Sequence, residues 1–212
     1  MDLGSTLGVL CLVVPVAGFA LVAASMVHHA RVVRRRRELM SGYAGHREWR
    51  FSPSGAGLER RLTGDPFGKG SRRTASNVVE GRYEGRTFLA FDYRYTTSSD
   101  DSTSTHPFSV VAMHLGALAQ PVPMLQVAPQ GTLGRFFRSL FGGDLALGDA
   151  AFDARFHVRT TSPELARDVL HPDLRAMLTA YRDRAWRLEG DSLLMVRGGQ
   201  HSPPRSTPCW PR

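Results

Sequence analysis

Cysteine is nearly missing from this chain. Among 212 residues there are two, Cys11 inside an apolar run and Cys209 near the end. Two such residues make no disulfide framework, and neither belongs to a zinc-ligand spacing. That scarcity fits a reducing compartment. Lysine is scarcer still: Lys69 is the only one, and arginine carries the rest of the positive charge. We read that as codon usage in a GC-rich genome, not as a functional choice. Catalytic signatures are missing too. There is no HExxH pair, no GxSxG elbow and no reactive-cysteine context. The sequence therefore names no catalytic residue, no cofactor-binding residue and no metal ligand. No internal repeat is present.

What is there begins with charge. The formal net charge is +8, and its placement says more than its size. Arg31, Arg34, Arg35, Arg36 and Arg37, with Arg197, Arg205 and Arg212 near the end, account for all of it. The charges of the rest of the chain sum to zero. A nucleic-acid-binding domain carries its positive charge on a folded face, so nucleic acid is not expected as a partner.

The only long apolar run is "LGVLCLVVPVAGFALVAASMV", from Leu7 to Val27. It has about the length needed to cross a hydrocarbon core of roughly 30 Å. A secretory signal peptide would need positive charge before the run. Here Asp2 precedes it, the arginines follow, and "VAASM" is a weak cleavage site. Residues 1–30 are thus expected to be a transmembrane anchor. The positive-inside rule then places the N-terminus outside and the bulk of the chain in the cytoplasm. Residues 31–48 would be a basic juxtamembrane helix or linker. Arg31, Arg34, Arg35, Arg36 and Arg37 would lie on anionic headgroups, each contributing on the order of 1 kcal/mol.

Residues 49–196 read as an α+β domain with an antiparallel sheet. "REWRFSPS" suggests a strand with Trp49 and Phe51 on one face. "NVVEGRYEGRTFLAFDYRYTT" suggests two strands turning at Glu84-Gly85. In the second, Leu89, Phe91, Tyr93 and Tyr95 share a face by the period of two, and Phe88, Ala90, Asp92 and Arg94 take the other. "TTSSDDSTSTHP" looks like a flexible loop. "FSVVAMHL" and "PMLQVAP" read as strands. "AFDARFHVRT" alternates: Phe152, Ala154, Phe156 and Val158 in, Asp153, Arg155, His157 and Arg159 out. Ser162 is placed to cap a helix with Pro163 in its first turn. His171-Pro172 breaks and restarts that helix, so a helix pair precedes the last hairpin. That hairpin, "AWRLEGDSLLMV", turns at Gly190-Asp191. Residues 197–212 have the composition of a disordered tail.

Three local patterns invite function. "GDPFGKG" from Gly64 to Gly70 lacks the spacing and the Ser/Thr of a phosphate loop and reads as a glycine-rich turn. His114 suggests a satisfied, partly buried ring, and His157 a solvent-facing one. "RFFRSLF" places Phe136, Phe137, Leu140 and Phe141 on one helical face beside Arg135 and Arg138. Such a segment can lie in a membrane interface, although an aromatic-rich turn is more often core.

The string "DPFGKGSRRTASNVVEGRYEGRTFLAFDYRYTT", followed by "FDARFHVRTTSPELARDVLHPDL" and "EGDSLLMV", resembles a family of actinobacterial single-pass membrane-anchored proteins of unknown function. The resemblance covers roughly residues 31–196. It implies a fold and a topology and no activity. The family continues with a further helix where this chain has "RGGQHSPPRSTPCWPR", and a truncated or frameshifted end is one reading of that difference. The sequence reading is then a membrane-anchored, non-enzymatic binding or scaffolding module. Its partners would be membrane lipids, through the anchor and the arginine run, and an unidentified protein. The alternative is a membrane-tethered enzyme whose site is assembled from dispersed residues.

Overall fold

The computed structural model describes residues 3–62, 64–116, 121–131, 144–180 and 184–201, with side chains from residue 24 onward. Helix α1 runs from Leu3 to His46 without a break. Strand β1 (Arg50–Ser54) and a single helical turn, α2 (Leu58–Arg61), follow. Three long strands come next: β2 (Ser71–Tyr83), β3 (Arg86–Ser99) and β4 (Ser102–His114). Then come β5 (Val122–Pro129), α3 (Ala150–Asp153), β6 (Phe156–Thr160), α4 (Pro163–Val169) and α5 (Pro172–Ala180). Strands β7 (Ala185–Gly190) and β8 (Ser192–Gly198) close the described chain. The strands form one eight-stranded sheet in the order β1-β2-β3-β4-β8-β7-β5-β6, antiparallel at every pairing.

The α+β architecture led by a transmembrane helix is therefore corrected. The protein is mostly one antiparallel sheet with a few helices. Among the described residues, no helix is long and apolar enough to cross a membrane. Helix α1 has the length, 44 residues. Yet its second half carries five arginines, Glu38 and three histidines, and its last turns are a sheet-packing element. Met40 and Ala44 are buried there against Val79, with Trp49, Phe51, Phe88 and Ala90 around them. The single-pass assignment is withdrawn with the span, and the orientation drawn from the flanking arginines depended on that span.

Strand register decides which side chains share a face. Val79, Ala90, Val111, Met195, Trp186, Val127 and Val158 are successive cross-strand partners. They lie on one face, which α1 covers at the β1–β3 end. At the β5–β7 end the same face holds a second cluster, with Phe152, Ala166 and Leu170 from α3 and α4. Leu174 and Leu178 of α5 pack against it. The opposite face carries the largest core. Phe91, Tyr93, Tyr95, Phe108, Val110 and Val196 pack there under Phe67, with Leu58 and Leu62 from the α2 region.

Two local expectations need correcting. The run "TTSSDDSTSTHP" is not a loop: β3 and β4 stay paired out to Ser99↔Ser102 and turn only at Asp100-Asp101. Cross-strand threonine and serine pairs suit an extended ribbon. Hydroxyl bonds support it, such as Ser99 Oγ to Ser102 Oγ at 2.9 Å. "AFDARFHVRT" is not a continuous strand either. Asp149 caps α3 by accepting from the Phe152 amide at 3.1 Å. Asp153 accepts from the amides of Leu147 and Gly148. These local bonds favour a helical turn before β6 begins. Elsewhere the local chemistry acts as the sequence suggests. Glu84 and Gly85 have φ of 49° and 76°, which is the left-handed pair a tight type I′ hairpin requires. Ser162 caps α4 with Pro163 in its first turn.

Candidate functional site

An open cleft of about 810 Å³ lies at the β2–β3 turn end of the sheet. Register places Arg50, Glu80, Leu89 and Ala112 in one cross-strand row on the face opposite α1. Arg82 and Thr87 pair in an adjoining position, and His114 pairs with Ser192. Arg61, the last residue of α2, closes one side, and Trp49 and Phe88 contribute from the other face. The lining is thus apolar in the middle and cationic at the margin.

Trp49 is the best-fixed aromatic group of this cleft. Its Nε1 donates to the Arg82 carbonyl at 3.1 Å. Its ring meets Phe88 edge-on at 4.7 Å and Tyr43 at 5.9 Å. The Arg47 guanidinium sits 5.6 Å from its centroid, a cation–π distance. Gly81 makes this approach feasible, because a Cβ there would stand 2.3 Å from the indole Cδ1.

The ionisable groups of the cleft are arranged differently from a catalytic set. Asp191, His114 and Ser192 look at first like an acid–base–nucleophile trio. However, Ser192 Oγ donates to Asp191 at 2.7 Å and not to the imidazole. His114 Nε2 lies 3.4 Å from Asp191, and its Nδ1 accepts from the Gly116 amide at 3.0 Å. No bond joins Ser192 Oγ to the imidazole, so the relay a serine nucleophile needs is not formed by these three groups. The Ser192 hydrogen bond is the main reason the Asp191 carboxyl lies below the usual carboxylate range, with His114 assisting. His114 itself is half exposed. Among the cationic groups, Arg50 faces Glu80 at 3.8 Å. Among the described residues, Arg61 and Arg82 make no ion pair.

A second polar constellation lies under α1. The carboxylate of Asp92 is almost wholly buried. It accepts from Asn77 Nδ2 at 2.7 Å, from Arg36 Nη2 at 2.8 Å and from the His201 amide at 2.8 Å. Arg36 also donates from Nε to the His201 carbonyl at 2.8 Å, and from Nη1 to Gln200 Oε1 at 2.6 Å. The His201 ring reaches the Val110 carbonyl at 3.1 Å. Burial is the main cause that lowers the His201 pKa below its ordinary value. One carboxylate thus ties together a helix, two strands and the segment after β8. These bonds tie elements of the fold together.

The residues singled out in the sequence are placed as follows. Arg31, Arg34, Arg35 and Arg37 are exposed on α1, whereas Arg36 turns into the fold. Arg135, Phe136, Phe137, Arg138, Leu140 and Phe141 lie outside the described residues. In "GDPFGKG", Lys69 Nζ is held by Asp65 at 3.0 Å, and Asp65, Pro66 and Phe67 are buried as a plug over Tyr93. His157 is half buried, not solvent-facing, and bonds Asp144 at 2.5 Å. Among the described residues, no group of three His, Cys, Asp or Glu could hold a metal ion. Sequence reasoning placed Asp92 on the face with Phe88 and Ala90 but missed its partners Arg36 and His201, and the Trp49–Gly81 contact. The single signal on offer was an aspartate directly after the apolar run Phe88–Phe91.

No protein-family model matches the chain, and no curated protein matches it. A solved structure does: the mycobacterial trehalose monomycolate transport factor A, TtfA. The similarity has a TM-score of 0.56 at 16% identity, over 81% of this chain and 85% of that one. At that identity the shared feature is the fold. A mycobacterial neighbour agrees, at the level of fold, with the actinobacterial resemblance of the sequence.

Proposed function

We propose that this protein is a non-enzymatic accessory factor in a transport process, holding a cargo or partner at the Trp49 cleft. The carrying observation is the state of the ionisable groups there. Ser192 is bonded to Asp191 and not to His114, so these three groups assemble no acid–base–nucleophile relay, and we read the cleft as a binding surface. The likeness to a transport factor supports the same reading, and the cargo in that protein's name suggests an acylated cargo here. Exposed Arg31, Arg34, Arg35 and Arg37 would face an anionic surface such as lipid headgroups. An accessory role of this kind also accounts for a fold built around packing, with its polar clusters used as ties.

The test is a deletion strain followed by pulse-labelling of lipids. Arrival of new lipid at the cell surface should slow while total synthesis is unchanged. His114→Ala should restore export when reintroduced, and Trp49→Ala, if its melting curve shows it folded, should not. Unchanged export in the deletion strain, or loss of a biosynthetic product, would overturn the accessory reading. Failure of His114→Ala to complement would favour an enzyme.

A further inference from the structure

The cleft also indicates what kind of molecule it holds. We infer that it takes an anionic amphiphile: an acyl chain over Leu89 and Ala112, and a carboxylate or phosphate head at Arg61 and Arg82. This rests on the accessory reading above and adds the ligand class to it.

Size and lining come first. About 810 Å³ falls within the range of small-molecule sites. The central residues are apolar or small, and the aromatic rim is held rigid by the Trp49–Arg82 hydrogen bond. Charge comes second. Arg50 and Glu80 offset each other at 3.8 Å, and His114 is engaged with Asp191. The remaining cations, Arg61 and Arg82, make no ion pair among the described residues, and they reach the same cleft from different elements. Glu48 is the one acid left at the margin. Guanidinium groups bind carboxylates and phosphates through paired, charge-assisted hydrogen bonds. A neutral head would leave that capacity unused.

Backbone pairing argues against an extended peptide as occupant. Such a peptide gains affinity by adding a strand to a free sheet edge. β1 is the edge strand of the sheet and reaches the cleft through Arg50, whereas across Leu89 and Ala112 β3 is paired with β2 and with β4, and β4 with β8. The occupant meets the sheet's face, where only side chains are offered, and an acyl chain needs nothing more.

Isothermal titration of the full chain tests this, with probes below their micellar concentrations. Dodecanoate and dodecyl phosphate should bind, and the tighter of the two identifies the head. Dodecyl maltoside should bind more weakly, and acetate not measurably. The double substitution Arg61→Gln with Arg82→Gln, at two exposed sites, should leave the melting curve unchanged. It should weaken the anionic probes about tenfold or more, and the double lysine variant should recover most of that loss. Dodecyl maltoside should be indifferent to both. Equal binding of neutral and anionic probes, no binding of either, or an unchanged affinity in the glutamine pair would each overturn the inference. If anionic binding fails while the deletion strain still shows slowed export, the ligand class is wrong and the accessory reading stands. If binding holds while export is normal, the site stands and the transport role does not.

Discussion

Asp92 shows how much one residue can carry. A carboxylate with 3% exposure is costly to bury unless donors surround it, and here they come from Asn77, Arg36 and the His201 amide. Removing it leaves the Arg36 guanidinium, itself 17% exposed, facing buried space. Breaking such a pair from one side costs about 3–5 kcal/mol. Asp92→Ala should therefore lower the urea midpoint by a corresponding amount. A loss under about 1 kcal/mol would mean that Arg36 finds solvent and that the tie is peripheral.

Among the elements, the β2–β3 hairpin and the end of α1 depend on each other. Trp49 lies on Gly81 because that position has no side chain to block it. Gly81→Ala places a methyl 2.3 Å from the indole, and overpacking of this kind typically costs about 1–3 kcal/mol. The ring must swing out, which opens the cleft and frees the α1 end. Tryptophan emission should shift to the red and amide exchange over residues 40–49 should quicken. Unchanged emission would show that the ring is not seated there in solution. The hairpin turn should be untouched by this change, because Glu84-Gly85 sets its own geometry.

For the whole molecule, buried titratable groups shape stability on both sides of neutrality. His201 has its pKa lowered from 6.5, mainly by burial; the Val110 carbonyl and Asp92 oppose the shift, and Arg36 and Arg197 reinforce it. The unfolded chain then binds this proton more readily than the folded one. The stabilisation is complete above the ordinary value of 6.5 and is lost as pH falls through the lower folded value. Burial acts oppositely on the phenols: Tyr95 is pushed up to about 12, and Tyr93 is raised too. Their contribution is complete below pH 10, their ordinary value, and is lost as pH rises towards the folded values. Denaturation across pH should give a plateau from about pH 7 to 10, falling on both sides. His201→Gln should flatten the acid limb selectively. An acid limb that keeps its slope in that variant would assign it to the carboxylates instead.

Several features were legible in the residues alone because the causes are local. The Glu84-Gly85 turn, the Ser162 cap with Pro163, the break at His171-Pro172 and the aromatic face from Leu89 to Tyr95 each follow from backbone preference or a period of two. What required the tertiary structure was every decision about which surface meets which. An arginine run has the same letters whether it faces headgroups or a buried carboxylate, and Arg36 differs from its neighbours through Asp92, 56 positions away, and through Gln200 and His201. A serine-rich run becomes strand when a partner strand supplies its hydrogen bonds. His201, in a stretch with the composition of a tail, is fixed by Asp92 and Val110, contacts more than ninety positions distant. The cleft exists because sheet register aligns Arg50, Glu80, Leu89 and Ala112 across four strands. Periodicity assigns each of these side chains to a face of its own strand, but the neighbour across the sheet is set by long-range pairing.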